Sequence, residues 1–395
     1  MPNATSHTPS NTNNTDDALL AGVTVLDLSQ GVAGPYCGLL LRQQGARVIK
    51  IEPPHGDWAR QMGRSRDGHS ALSIACNVGK ESIVLDTRTA PGRAALRRLA
   101  ERADVVLQNF RPGVAARLGA DPQELAQHNP QQVYVSISGY GSVGPMAQLP
   151  ALDTIMQAFS GLTQVNADAA TGQPRRIGLL AVDLCTALYA AQCTTAALFK
   201  AARSGRGRHI ELSMLQTAAA LQAYLIVDDV MFDGVPNNTL NAPAGIFAAQ
   251  DGLVYISMLN DAMFQRLAQA LNFDDWLQDV SLHSSAGRIP RAPELSVRLG
   301  QALAQQSLVH WEALFRKHDI LFSRVRHPRD LLGDPQSLAL DLFQHTPKDS
   351  AWPGLPLPRV PGQSAGAVSP DALRPPALGA HTDAVLREFG IQLDT

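Results

Sequence analysis

The chain has 395 residues, 45% of them hydrophobic and 17% charged, which excludes an intrinsically disordered protein and leaves room for more than one folded unit. A net charge of -2 gives no overall attraction for nucleic acid, so no nucleic-acid partner is expected. Four cysteines, Cys37, Cys76, Cys185 and Cys193, form no CxxC pair, which fits free thiols in a reducing cytoplasm and offers no metal site.

Residues 1–17 are rich in Ser, Thr and Asn and read as a disordered tail, neither signal peptide nor membrane anchor. Strand patterns follow at Val23–Leu28, Arg47–Glu52, Ser82–Asp86, Asp104–Phe110 and Gln132–Ser138. Helical patterns lie between them at Pro35–Gln44, Pro91–Ala103 and Asp121–Gln127. This alternation predicts an α/β fold with a doubly wound parallel sheet. Gly31–Arg60 holds the opening βαβ unit, with a glycine turn shaped to bring backbone close to a ligand. Its glycines are spaced GxxGxxxG (Gly31, Gly34, Gly38), not GxGxxG, so nicotinamide binding is disfavoured although Glu52 stands where a ribose-binding acid would. No GxSxG elbow and no P-loop pattern is present.

The apolar run Ile177–Phe199 is long enough to invite a membrane reading. Asp183, Gln192 and several threonines interrupt it, so a buried core helix is expected and no membrane partner. A strand at His209–Ser213 and a helix from Leu215 to about Val230 come next. Turn-rich Asp233–Gly245 reads as an interdomain connection. A strand at Leu253–Met258 and helices around Ala262–Leu271 and Gln301–His318 predict a smaller α/β unit. The expected division is 18–232 for the first part of a large domain, 233–330 for a small one, and 331–395 for a return to the large one. A proline-rich stretch, Trp352–Pro361, leads there to a closing helix at His381–Phe389.

An aspartate inside an apolar run is costly unless it is hydrogen-bonded, capping or functional. Asp183 therefore reads either as the N-cap of the following helix or as a carboxylate nucleophile at its N-terminus, and the two are compatible. Arg111 falls at the carboxyl edge of a strand, where open α/β sheets bind ligands, and Arg117 follows nearby. Paired guanidinium forks suit phosphate, though solvated arginines are the plainer reading. Lys50, Arg60, Arg64, Arg66, Lys80 and Arg88 add basic charge in the same third of the chain, as a ligand-binding face or as solvated surface.

Taken in order, AGVTVLDLSQGVAGP, GARVIKIEPPHGDWAR, NVGKESIVLDTRTAPGR, ADVVLQNFRPGVAARLG, NPQQVYVSISGYGSVGP, LDTIMQAFSGL, SGRGRHIELSMLQTA, DGLVYISMLND and GAHTDAVLREFG resemble the class III CoA-transferases of the CaiB/BaiF type. That group contains formyl-CoA transferase, carnitine CoA-transferase and α-methylacyl-CoA racemase. The resemblance runs from about Leu20 to the C-terminus.

The resemblance implies that Asp183 attacks an acyl-CoA thioester, forming a mixed anhydride. CoA thiolate then returns to give an enzyme-bound thioester, from which an incoming small carboxylic acid collects the CoA. It implies that Val32 and Ala33 line the adenine side of CoA. Leu85, Asp86, Thr87, Arg88, Asn109, Phe110 and Arg111 would contact the cofactor near the nucleotide, and Arg117 would hold phosphate. CoA is then a substrate, and no tightly bound cofactor is expected. In formate-using members the position of Pro53 is an arginine stacking on adenine, a grip proline cannot provide. The resemblance also implies an interlocked homodimer, its large domain built from both chain ends. The racemase branch needs a histidine where this chain has Leu152, and leucine offers no acid–base group, which favours the transferase.

Overall fold

The computed structural model describes residues 18–168, 171–235, 241–362 and 369–393. The expected tail at 1–17 lies outside them, as do residues 236–240 of the expected interdomain connection. The chain divides into two compact units, Met1–Ala223 with Gln336–Thr395, and Tyr224–Pro335.

The first unit is built on six parallel strands: β1 (Thr24–Asp27), β2 (Arg47–Glu52), β3 (Glu81–Val84), β4 (Val105–Gln108), β5 (Val133–Ser138) and β6 (Arg208–Ser213). Their spatial order is β3-β2-β1-β4-β5-β6, so the chain reverses its direction of travel between β1 and β4. Alternation within each strand feeds two cores, as a parallel sheet covered on both faces requires. Leu26, Ile49, Ile83, Val106 and Tyr134 pack on one face with Leu96 and Leu99 of α2 (Ala90–Arg102). Val25, Val48, Val105 and Val135 pack on the other with Leu40 and Leu41 of α1 (Ala33–Gln43). Thr89 starts α2 by accepting the Gly92 N–H, with Pro91 in the first turn where its missing donor is not needed.

Two helices matter most for the site. The first is α3 (Asp153–Phe159) and the second, long helix is α4 (Ala181–Ser204), closed by Gly205 in the left-handed conformation. By length and composition α4 could cross a membrane. The buried core helix expected from the sequence is buried along one side only. Ala187, Ala190, Ala191 and Ala197 meet the core, while Leu188, Tyr189 and Phe199 are exposed. Small alanines let this helix approach α1 closely on one side and leave the large apolar residues to the other.

The helix expected from Leu215 to Val230 is broken at Gln222 into α5 (Met214–Leu221) and α6 (Ala223–Met231). In the second unit, β7 (Ala244–Ala249), β8 (Gly252–Ser257) and β9 (Phe322–Arg324) form an antiparallel sheet of order β9-β8-β7. The single helix expected at Gln301–His318 is two, Ala292–Leu303 and Leu308–Lys317; Ser307 caps the second through the His310 N–H. Arg288 is fully buried here. Its guanidinium pairs with Asp261 at 2.7 Å, donates to the carbonyls of Ala242 and Leu282, and lies over the Phe264 ring.

Candidate functional site

In open α/β sheets, ligands bind beyond the carboxyl ends of the strands where the strand order reverses. A cleft of about 250 Å³ opens there, bordered by the segments that follow β1 and β4. Asn109 ties those segments together: its Oδ1 accepts the Gln30 N–H at 2.8 Å and its Nδ2 donates to the Gln30 carbonyl at 2.6 Å.

Gly31 adopts φ 81°, and a Cβ there would lie 2.2 Å from the Trp58 indole. Only glycine allows the chain to turn under that ring. Asp57 fixes both partners. It accepts the Gly31 N–H at 3.0 Å and caps the short helical turn Trp58–Gln61 through the Ala59 N–H at 2.9 Å. Beneath the loop, Lys50 pairs with Asp57 at 3.0 Å and donates to the Ser29 carbonyl at 2.6 Å. Lys80 pairs with Asp27 at 2.8 Å and donates to the Pro35 carbonyl at 2.6 Å.

All four of these charged side chains are buried. Burial alone would raise the Asp27 carboxyl, but Lys80 and Lys50 outweigh it and hold it below the ordinary aspartate value. Glu52 is similar: burial opposes ionisation, yet the Arg60 guanidinium, at 2.6 Å, and Lys50 hold its carboxyl at about 2. Lys50, Lys80 and Arg60 thus belong to the buried frame of the site, not to a basic surface.

Asp183 enters the cleft from the first turn of α4. It is the third residue of that helix, not its N-cap; Leu180 holds the cap position and makes no side-chain bond. The capping carboxylate comes from α3. Asp153 Oδ2 accepts the N–H groups of Val182 and Asp183 at 2.8 and 3.1 Å, and Oδ1 accepts Gln157 Nε2 at 2.6 Å. Gln157 also accepts the Ile177 N–H at 2.8 Å, securing the approach to α4. The Asp183 carboxyl is half-buried and, among the described residues, makes no hydrogen bond or ion pair. Burial, and then the negative charge of Asp153, push it up to about 7.

Of the residues expected at the site, Val32, Ala33, Asn109, Phe110, Arg111 and Asp183 line this one cleft. The others do not border it. Leu85 is buried in the core, its side chain among Ile83 and Leu96. Asp86 and Arg88 pair with each other at 2.9 Å on the surface. Thr87 donates its N–H to the Leu85 carbonyl, and Arg117 is exposed at the end of the short helix Val114–Arg117. Leu152 borders the cleft and is 52% exposed.

Sequence reasoning missed Asp153, Asp57 and Trp58. The acid at 153 heads its own helix, but the turn it caps begins 28 residues later, and no local pattern reports that.

The family profile described as "CoA-transferase family III" matches residues 20–382. Acetyl-CoA:oxalate CoA-transferase of Acetobacter aceti is 33% identical over 329 residues, covering 82% of this chain and 84% of its own. Succinate–glutarate CoA-transferase of Agrobacterium fabrum is 31% identical, covering 94% and 95%. Among solved structures, a CAIB/BAIF family protein from Brucella suis superposes with a TM-score of 0.82 at 29% identity, covering 93% of this chain and 98% of its own.

Proposed function

The chain belongs to CoA-transferase family III, and from that premise we propose that it moves coenzyme A from an acyl-CoA to a carboxylic acid through a covalent intermediate on Asp183. One carboxylate oxygen of Asp183 attacks the thioester carbonyl; the C–S bond breaks, and CoA leaves as thiolate from a mixed anhydride. The thiolate attacks the aspartyl carbon and releases the donor acid as carboxylate. An acceptor carboxylate attacks the resulting aspartyl thioester, expels the thiolate, and forms a second anhydride. Thiolate attack on the acceptor's carbonyl gives the new acyl-CoA and restores the Asp183 carboxylate, with no net proton change.

One observation carries this reading: a half-buried carboxyl, without a partner among the described residues, faces a cleft walled by Val32, Ala33, Asn109, Phe110 and Arg111. At about 7, Asp183 is close to half ionised at neutral pH, so the attacking form is available. In this proposal that wall takes the CoA, and Arg111 and Arg117 hold phosphate. Asp86, Thr87 and Arg88, with the main chain of Leu85, are the outer nucleotide contacts.

Racemisation needs a second proton carrier, and Leu152 supplies none. The proposal includes an interlocked homodimer in the cytoplasm. Exposed Leu188, Tyr189 and Phe199 on α4, and exposed Tyr224, Val230 and Met231 on α6, are the surfaces a second copy would cover. The four free cysteines fit a reducing compartment.

The test is intact-mass analysis during turnover. Wild type incubated with acyl-CoA should accumulate a CoA adduct that hydroxylamine removes, and Asp183→Asn should fold, form no adduct and transfer no CoA. Transfer by a folded Asp183→Asn protein removes Asp183 from the mechanism. Deuterium uptake from heavy water into 2-methylacyl-CoA, with no adduct, assigns the protein to the racemase branch.

A further inference from the structure

Resting on the transferase reading above, we infer that Gln30 is a further catalytic residue: its side-chain amide donates a hydrogen bond to the acyl carbonyl oxygen while that oxygen carries negative charge. Gln30 borders the same cleft as Asp183, on the segment that follows β1.

The main chain around Gln30 is held at three consecutive residues. The Ser29 carbonyl accepts Lys50 Nζ at 2.6 Å, and the Gly31 N–H donates to Asp57 at 3.0 Å. The N–H and carbonyl of Gln30 itself are both taken by Asn109, at 2.8 and 2.6 Å. With those polar groups turned to Asn109, what Gln30 brings to the cleft is its side chain. The residue is half-buried, and among the described residues its amide makes no hydrogen bond. Gln30 and Asp183 do not bond each other, so both are left for a ligand. A donor on a fixed main chain, unspent before substrate arrives, needs little reorganisation when charge develops beside it.

Each attack in the proposed exchange passes through a tetrahedral carbon bearing a negative oxygen. In the first and the last attack that oxygen is the acyl carbonyl's, and there the Gln30 amide has its role. The amide transfers no proton, and its hydrogen bond strengthens as the oxygen gains charge. Being uncharged, it leaves the Asp183 carboxyl as raised as burial and Asp153 make it.

The test follows formation of the CoA adduct by the full-length protein with acetyl-, butyryl- and succinyl-CoA. Intact mass is read at rising donor concentration and across the neutral pH range. Gln30→Met keeps the size of the side chain and removes the donor. Its maximal rate should fall about 10²–10³-fold. Its half-saturating donor concentration should stay within about threefold of wild type, as expected for an interaction made only in the transition state. Its melting temperature should match wild type, because the bonds to Asn109 are made by the main chain. Gln30→Glu should be slow as well. Its negative charge disfavours ionised Asp183, so the rise of rate with pH should move upward by up to about one unit.

A Gln30→Met protein with the wild-type maximal rate, or one whose loss lies wholly in the half-saturating concentration, overturns the inference and leaves the transferase reading intact. So does a Gln30→Glu protein with an unmoved pH profile, which separates the two side chains; that variant decides alone if Gln30→Met does not fold. Absence of an adduct in the wild type with every donor overturns the transferase reading itself, and the inference with it.

Discussion

Replacing Asp153 by Asn removes one negative charge from beside Asp183 and keeps a side-chain oxygen for the first turn of α4. Burial and then Asp153 bring the Asp183 carboxyl from the ordinary 3.8 to about 7, roughly three decades of acidity. Burial has the larger share, so Asp153 accounts for less than half of that rise. In the proposed mechanism only the ionised carboxyl attacks, so kcat/KM for acyl-CoA should rise with pH and level off above about 7. In Asp153→Asn that rise should occur at lower pH, by no more than about 1.5 units. The neighbouring thiols do not shape it: burial pushes Cys76 up to about 12 and raises Cys185 as well.

The assay is initial rates of CoA exchange across the neutral range at fixed ionic strength. Asn also turns an amide N–H toward Gln157 Nε2, donor against donor, at a cost of about 1–2 kcal/mol, so the melting temperature is recorded alongside. A folded variant with an unmoved pH profile, or one shifted upward, refutes the coupling.

Four other outcomes are expected. Asp183→Asn should raise the melting temperature more at pH 8 than at pH 5. A carboxyl raised in the folded state destabilises only once ionised, so the penalty is absent below the unfolded value of 3.8 and complete above about 7. Partial exposure limits it to on the order of 2 kcal/mol, and equal gains at both pH values would contradict the reading. Arg111→Ala should raise KM for acyl-CoA by about one to two decades with little change for the acid, as measured by separate titration of each substrate. Gly31→Ala combines a left-handed φ with a 2.2 Å clash against Trp58; thermal melting should show a loss of about 1–3 kcal/mol, and KM for acyl-CoA should rise. Arg288→Met leaves Asp261 and two carbonyls without their partner, and denaturant unfolding should show a loss of about 3–5 kcal/mol.

The parallel sheet was legible because its strands are short apolar runs punctuated by turn residues. Arg47–Glu52 was bounded as observed, and other edges differ by a residue or two. Less legible were the breaks at Gln222 and Ser307, where apolar periodicity continues while the capping geometry restarts the helix. Val32, Ala33, Asn109, Phe110, Arg111 and Asp183 came from motifs that resemble a family, and these six residues share one cleft. The buried frame was not readable. In sequence, Lys50 and Lys80 look like surface charges, and only the fold places Asp57 and Asp27 against them. Asp153 escaped notice for the same reason, since its partner turn is distant in the chain.

The packing of Trp58 over Gly31 also gives the protein an optical reporter. Of its four tryptophans, Trp276 and Trp311 are 3% and 5% exposed inside the smaller unit, and Trp352 is half-buried near the Arg66 guanidinium. Trp58 alone borders the cleft, at 42% exposure. Its emission should therefore change as acyl-CoA fills the cleft, while the emission of Trp276 and Trp311 should follow unfolding of the smaller unit, so that one fluorescence spectrum separates occupancy from integrity.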